Sequence, residues 1–278
     1  MTFSFFKPIA ELKPYVKSIW VFESPLGMPE ADMNLAVPTG CSKLIFSYEN
    51  SIVSTIGEQV QRSKEQNLYF VGNRDISVQV STKPGRTGFI GIDFYPHGAY
   101  PVFGIPMIEI ANRLTSADDL ISLWGMEVNE GLRNIETVEK KIHFLQNRLI
   151  ELLKKNQHVT AWKSPVIEYC INSLKSTNGL MAISELQHRT GYSRRYLEIL
   201  FKNHIGLSLK TLGSIFRFQK FYKDWANGQP YERMMDELYN YYYDQAHFNK
   251  EFKRMTGFSP KYFSSKVSNE FGRQLTLH

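Results

Sequence analysis

The sequence predicts an α+β protein. Its first part is a β-rich domain with helices at the C-terminal end, and its second is an all-α domain carrying two helix-turn-helix units. Three observations predict this. Short β-branched and aromatic runs separated by Gly and Pro turns fill residues 30–95. Helical periodicity takes over from residue 97. The C-terminal part then repeats itself at a spacing of 51 residues. At 278 residues, 42% hydrophobic and 22% charged, the chain is long enough for two domains with separate cores.

Within the first part, Lys43-Leu-Ile-Phe-Ser-Tyr, Leu68-Tyr-Phe-Val-Gly, Ile76-Ser-Val-Gln-Val and Gly88-Phe-Ile-Gly-Ile-Asp-Phe read as strands. Pro-Thr-Gly, Gly-Asn and Lys-Pro-Gly-Arg between them supply turn chemistry. Ser116-Ala-Asp-Asp reads as the capped start of a helix running to Trp124, with Asp118 and Asp119 in a first turn that favours carboxylates. A longer helix is expected over Val128 to Lys155. In it Ile135, Val138, Ile142, Leu145, Leu149 and Leu152 form a heptad-like stripe. That stripe suits a homodimer seam or packing on the strands of its own domain, and the spacing alone does not choose. The polar run Asn156-Gln-His-Val-Thr-Ala divides the chain into a β-rich domain over residues 1–157 and a helical domain over 158–278.

The repeat matches Ser193 with Asp244, Leu197 with Phe248, Phe201 with Phe252, Lys202 with Lys253, Gly206 with Gly257, Ser208 with Ser259 and Lys210 with Lys261. Each copy has a small polar cap, large apolar residues one and two turns on, and a terminating glycine. Ile183-Ser-Glu-Leu-Gln-His-Arg-Thr and Gly191 precede the first copy and complete a helix-turn-helix. In such a unit the second helix can enter the major groove of duplex DNA. The residues turned away from the apolar positions are then Arg194, Arg195 and Glu198 in one copy, and Gln245, Ala246, His247, Asn249 and Lys250 in the other. Arg can bridge guanine O6 and N7, and Gln or Asn can bridge adenine N6 and N7. Lys202, Lys253 and Arg254 lie further along, where phosphate contact is expected. Leu209 to Ala226 reads as one linking helix whose aromatics form core, and at least one of Tyr241, Tyr242 and Tyr243 is expected to be buried.

Charge agrees with this division. Residues 1–159 hold 16 Lys+Arg against 17 Asp+Glu, whereas residues 160–278 hold 17 against 10, an asymmetry that suggests a polyanionic partner for the second part. No stretch approaches a membrane span, and Met1-Thr-Phe-Ser-Phe-Phe-Lys lacks the features of a secretory leader, so a cytoplasmic location is expected. Cys41 and Cys170 suggest neither a disulfide framework nor a zinc site, and both are expected to be buried. No GxxxxGK[ST], GxGxxG after a strand or HExxH is present, so no enzyme, cofactor or metal site is expected. Among seven scattered histidines, His97 has the best setting for a small-molecule pocket, yet it reads more simply as a capping or packing residue.

Gly191-Tyr-Ser-Arg-Arg-Tyr-Leu-Glu-Ile-Leu-Phe-Lys, and more strongly Asp244-Gln-Ala-His-Phe-Asn-Lys-Glu-Phe-Lys-Arg-Met-Thr-Gly-Phe-Ser-Pro-Lys-Tyr-Phe, resemble the AraC/XylS family of transcription regulators. The resemblance covers roughly residues 162–265. It implies about seven helices with two helix-turn-helix units on a shared linker, and a sequence-specific regulator, usually an activator. Duplex DNA is the partner it implies, with RNA polymerase and an unidentified small-molecule effector as further candidates. Val37-Pro-Thr-Gly-Cys-Ser-Lys-Leu-Ile-Phe and Gly91-Ile-Asp-Phe-Tyr-Pro-His-Gly-Ala-Tyr-Pro-Val-Phe-Gly-Ile-Pro resemble a domain found ahead of this module in some regulators, which implies signal sensing, dimerisation or both. Two departures stand out. Asn240-Tyr241-Tyr242 replaces the usual glycine turn of the second unit, where Asn240 can itself adopt a left-handed turn, and Asp236 and Glu237 stand near positions the family keeps apolar or small. Ile199 replaces a common polar residue and can pack inward or meet a thymine methyl. The rival reading is a ligand sensor whose helical half binds protein, with Arg194, Arg195, Gln245 and Lys250 as the discriminating residues.

Overall fold

A computed structural model of the chain describes residues 1–30, 33–160 and 164–277. Among these residues, two antiparallel sheets form the first half. The larger runs β1 (Thr2–Phe6), β2 (Val16–Ser24), β9 (Thr87–Phe94), β4 (Lys43–Glu49), β7 (Leu68–Val71) and β10 (Leu114–Ser116); the smaller runs β3 (Leu35–Ala36), β8 (Val78–Thr82), β5 (Ile52–Ile56) and β6 (Gln59–Arg62). The four expected strands are β4, β7, β8 and β9. The first 24 residues, given no element by the sequence reading, supply β1 and β2, and β10 interrupts the stretch read as helical.

Alternation along each strand sorts side chains between two cores. Ile19, Val21, Leu44, Phe46, Leu68, Phe70, Ile90 and Ile92 face a helical layer, whereas Trp20, Phe22 and Phe89 turn towards the smaller sheet. β9 is therefore buried at every position. Gly91 is required there: a Cβ at this residue would lie 2.0 Å from the Trp20 indole.

The helical layer comprises α1 (Ala99–Phe103), α2 (Ala117–Leu120), α3 (Ser122–Asn134) and α4 (Val138–Thr160). Ser116 caps α2 as expected, accepting a hydrogen bond from the Asp119 amide, but the helix ends at Leu120, extended Ile121 follows, and Trp124 lies in α3. The single helix expected over Val128 to Lys155 is two helices. Thr137 restarts the chain by accepting from the Lys140 amide, and the buried Lys141 ammonium donates to the carbonyls of Leu132 and Ile135 at the end of α3. Ile142, Leu145, Leu149 and Leu152 are buried in the domain's own core, so the heptad stripe is not an exposed seam. Helix α4 runs on through the polar stretch to Thr160, and residues 161–163 lie outside the described residues.

The second half contains α5 (Ser164–Ser176), α6 (Ile183–Thr190), α7 (Arg194–Ile205), α8 (Leu209–Ala226), α9 (Tyr231–Asp236), α10 (Gln245–Thr256), α11 (Pro260–Lys266) and α12 (Glu270–Leu277). The first seven of these fill the span of the family resemblance; α12 lies beyond it. Leu212, Ile215, Phe218, Phe221 and Tyr222 of α8 are buried against Leu197 and Phe201 of α7 and Phe248 and Phe252 of α10, forming the common core expected of a linking helix.

Candidate nucleic-acid interface and ligand cavity

The two units are built by the same local signals. Ser193 accepts from the Tyr196 amide at 3.3 Å, and Asp244 accepts from the His247 amide at 2.7 Å, so each reading helix has its N-terminus satisfied. Gly206 and Gly257 end α7 and α10 at φ 81° and 84°, in the left-handed region where glycine carries no side-chain penalty. Burial of Leu197 and Phe201, and of Phe248 and Phe252, fixes which faces remain outside.

Those faces carry the expected residues. Arg194, Arg195 and Lys202 are exposed on α7; Gln245, Ala246, Asn249, Lys250 and Lys253 are exposed on α10. Glu198 is half-buried, with Arg194 Nε 3.6 Å from its carboxylate, so it steers Arg194 as much as it meets solvent. His247 is also half-buried, edge-on to the Tyr242 ring, with Nε2 3.9 Å from Glu251. Ile199, weighed for packing inside, is 51% exposed and shares the outer face with the basic residues. Its position follows from the helical period, which places it between the buried Leu197 and Leu200 positions but on the opposite side. Arg254, expected on phosphate, is held instead by Asp75 of the β-rich half at 3.0 Å.

The glycine-free turn of the second unit is closed by aromatic packing. Leu238–Asn240 forms a right-handed 3-10 turn, so Asn240 does not take the left-handed conformation its sequence allows. Tyr242 is 4% exposed among Phe221 and Phe248, while Tyr243 is 91% exposed. Arg217 lies over the Tyr242 ring at 5.2 Å and donates to the Tyr241 carbonyl. Burial pushes the Tyr242 hydroxyl pKa well up, with Glu251 adding to the effect. Asp236 stays at the surface, so the departures from the family pattern bury no charge there.

A cavity lies between the two sheets. It holds about 910 Å³ of empty space, its open mouth included. Its walls are mainly apolar, among them Ile45, Val71, Val78 and Phe89, and Phe271 and Leu275 of α12 close one side. Lys43 in the wall is paired with Asp93 at 2.6 Å. Arg74, 8% exposed, is not: its Nε and Nη1 have no hydrogen-bond partner, and burial pushes its pKa down to about 10. Neither Arg74 nor the cavity was foreseen, and no local motif marks a turn residue for burial. Cys41 is half-buried in the cavity wall rather than buried, whereas Cys170 is buried as expected.

A second recess separates the halves, lined by Lys17, Asp93, Tyr95, Lys175 and Lys223. Lys175 is held below its ordinary pKa by burial, and Lys17 and Lys223 add repulsion. His97 sits nearby, stacked on Tyr95 with Nε2 3.8 Å from Glu168 of α5, in the packing role its sequence setting suggested. Among the described residues no helix is long and apolar enough to cross a membrane.

Comparison with known proteins gives a fold but little sequence. Residues 4–116 match a family model described as a domain of unknown function, DUF6597. No curated protein sequence matches. Among solved structures, ToxT from Vibrio cholerae O395 bound to (E)-4-(8-methylnaphthalen-1-yl)but-3-enoic acid aligns at a TM-score of 0.50 and 10% identity, over 89% of this chain and 99% of that one. Unsaturated fatty acid bound wild-type ToxT from Vibrio cholerae strain SCE256 aligns at a TM-score of 0.45 and 12% identity, over 94% and 98%. The AraC-like transcriptional activator CuxR aligns at 0.27 and 14%, over 81% and 87%. The chain thus has the two-domain fold of ToxT, an AraC-family regulator.

Proposed function

We propose that this chain is a cytoplasmic, sequence-specific transcription regulator of the AraC type that reads two adjacent major-groove segments of duplex DNA. One observation carries the reading. Two helices with matching caps, cores and glycine stops both present uncommitted Arg, Gln, Asn and Lys side chains outward, joined by one shared helix. The 18 residues of α8 span about 27 Å, close to the roughly 34 Å between successive major grooves, and modest DNA bending accounts for the difference. Arg194, Arg195, Ile199, Gln245 and Asn249 are the base-reading residues; Glu198 and His247 orient their neighbours; Lys202, Lys250 and Lys253 meet phosphates. Residues 1–157 form the sensing domain and 158–278 the reading domain, acting as an activator that engages RNA polymerase when an effector is bound.

Selection of bound duplexes from a randomised pool by the full chain at about physiological salt tests this. The expected result is an enriched motif of two half-elements about one helical turn apart. Retention without enrichment, lost steeply with added salt, would be non-specific polyanion binding and would overturn the reading.

A further inference from the structure

The repeat that pairs Ser193 with Asp244 also pairs Tyr192 with Tyr243, the residue just before the cap of each reading helix. A large apolar side chain at this position often packs on the fourth residue of its helix and fixes the entry of the chain. Tyr243, 91% exposed, forms no such staple. Tyr192, 41% exposed, stacks on Tyr196, the third residue of α7, with ring centroids 4.7 Å apart and planes 23° from parallel. In the second unit His247 stands in the place of Tyr196, and its ring is edge-on to Tyr242. The helical core takes in Tyr196, Tyr241 and Tyr242 and leaves Tyr192 and Tyr243 out. Among the described residues neither of these two hydroxyls has a hydrogen-bond partner. Two bulky side chains thus stand outward at equivalent places where folding gains little from them.

We infer that Tyr192 and Tyr243 are a pair of phosphate anchors, one per unit, whose hydroxyls donate to the DNA backbone beside each half-element and set the register of α7 and α10. The inference rests on the proposed reading of these helices. If the first residues of a reading helix meet base edges, the residue one step before its cap meets the rim of the groove, where the backbone runs. Tyrosine hydroxyls are among the donors that contact phosphate and position a protein without reading sequence. A hydroxyl is an uncharged donor, so its contact releases no counterion and adds affinity without adding salt dependence. That separates these anchors from Lys202 and Lys253. The stack on Tyr196 holds Tyr192 in place beforehand, whereas Tyr243 gives up side-chain freedom on binding, so Tyr192 contributes more.

The test titrates the full chain on selected and random duplexes at several salt concentrations. Tyr192→Phe and Tyr243→Phe keep the rings and the stack and remove only the hydroxyls. Tyr192→Phe is expected to weaken both duplexes alike by about three- to tenfold, and Tyr243→Phe by about two- to threefold. The slope of log affinity against log salt should stay that of the unmodified chain. Replacing single phosphates beside each half-element by uncharged methylphosphonates should reveal one position per half-element at which the Phe loss disappears. Affinity unchanged in both variants overturns the anchors. A loss confined to the selected duplex makes the tyrosines base readers, and a lower salt slope means that they act through neighbouring cations; either result also overturns the proposal. Binding of random duplex without any sequence selection would sink the regulator reading by itself, and the Phe variants then decide the anchors on random duplex alone.

Discussion

Arg195 is the second residue of α7 and Lys253 the ninth of α10, and this difference in depth along the helix decides what each contributes. The first turn of a reading helix reaches base edges, whereas later turns rise towards the backbone. Arg195→Ala should cost about 1–3 kcal/mol at one base position and relax discrimination there. Lys253→Ala should weaken all duplexes alike and reduce the salt slope by about one. Titrations on selected and random duplexes at several salt concentrations check both, and equal losses on both duplexes for both variants would refute the assignment. His97 offers a prediction of another kind. Burial holds its imidazole below the ordinary 6.5, with Glu168 opposing the shift and Lys175 adding to it. The unfolded chain therefore takes up a proton before the folded one does. Stability is full above about pH 6.5 and declines as pH falls below it towards the folded value. His97→Gln should lose less melting temperature than the unmodified chain between pH 7.5 and 5. A gap between the two that stays constant with pH would contradict this.

The elements show which parts of the structure a sequence can disclose. The caps Ser193, Asp244, Ser208 and Ser259 and the glycine stops were readable because their chemistry is local: a side-chain oxygen meets an amide three residues on, and only glycine takes the left-handed stop cheaply. Helix α4 was not readable in the same way. Its stripe at heptad spacing is identical whether it faces another chain or its own sheet, and only the packing of Leu145 and Leu149 beneath the larger sheet decides. The break before α4 escaped too, because Lys141 satisfies the carbonyls at the end of α3 from the following helix. Arg74 was invisible because its burial depends on strands far apart in the chain. Leu149→Ala should accordingly cost about 2–5 kcal/mol in denaturant unfolding without altering the sedimentation coefficient of the folded protein. A drop in oligomeric state with stability unchanged would restore the seam.

At the scale of the whole molecule, the two halves are joined at points that no repeat or motif announces. The strongest is Asn269, just before α12, whose amide is used at every corner. Its Oδ1 accepts from the amides of Leu35 at 2.7 Å and Gly272 at 3.2 Å. Its Nδ2 donates to the Leu35 carbonyl at 3.1 Å and to the Tyr222 hydroxyl at 2.8 Å. The residue is fully buried at φ 36°, a left-handed conformation that Asn tolerates better than most residues. One side chain thus ties strand β3 of the first half to helices α8 and α12 of the second, while Phe271 of α12 reaches into the inter-sheet core. Asn269→Ala would leave several buried donors and acceptors without partners, each costing about 1–3 kcal/mol. The loss falls on the junction rather than on the cores, since Asn269 belongs to none of the three hydrophobic clusters. Scanning calorimetry should therefore show a single transition in the unmodified chain and two separated transitions in Asn269→Ala, with the β-rich and helical halves melting independently. If the variant still melts in one transition at a lower temperature, the halves are held by the wider contact surface rather than by Asn269.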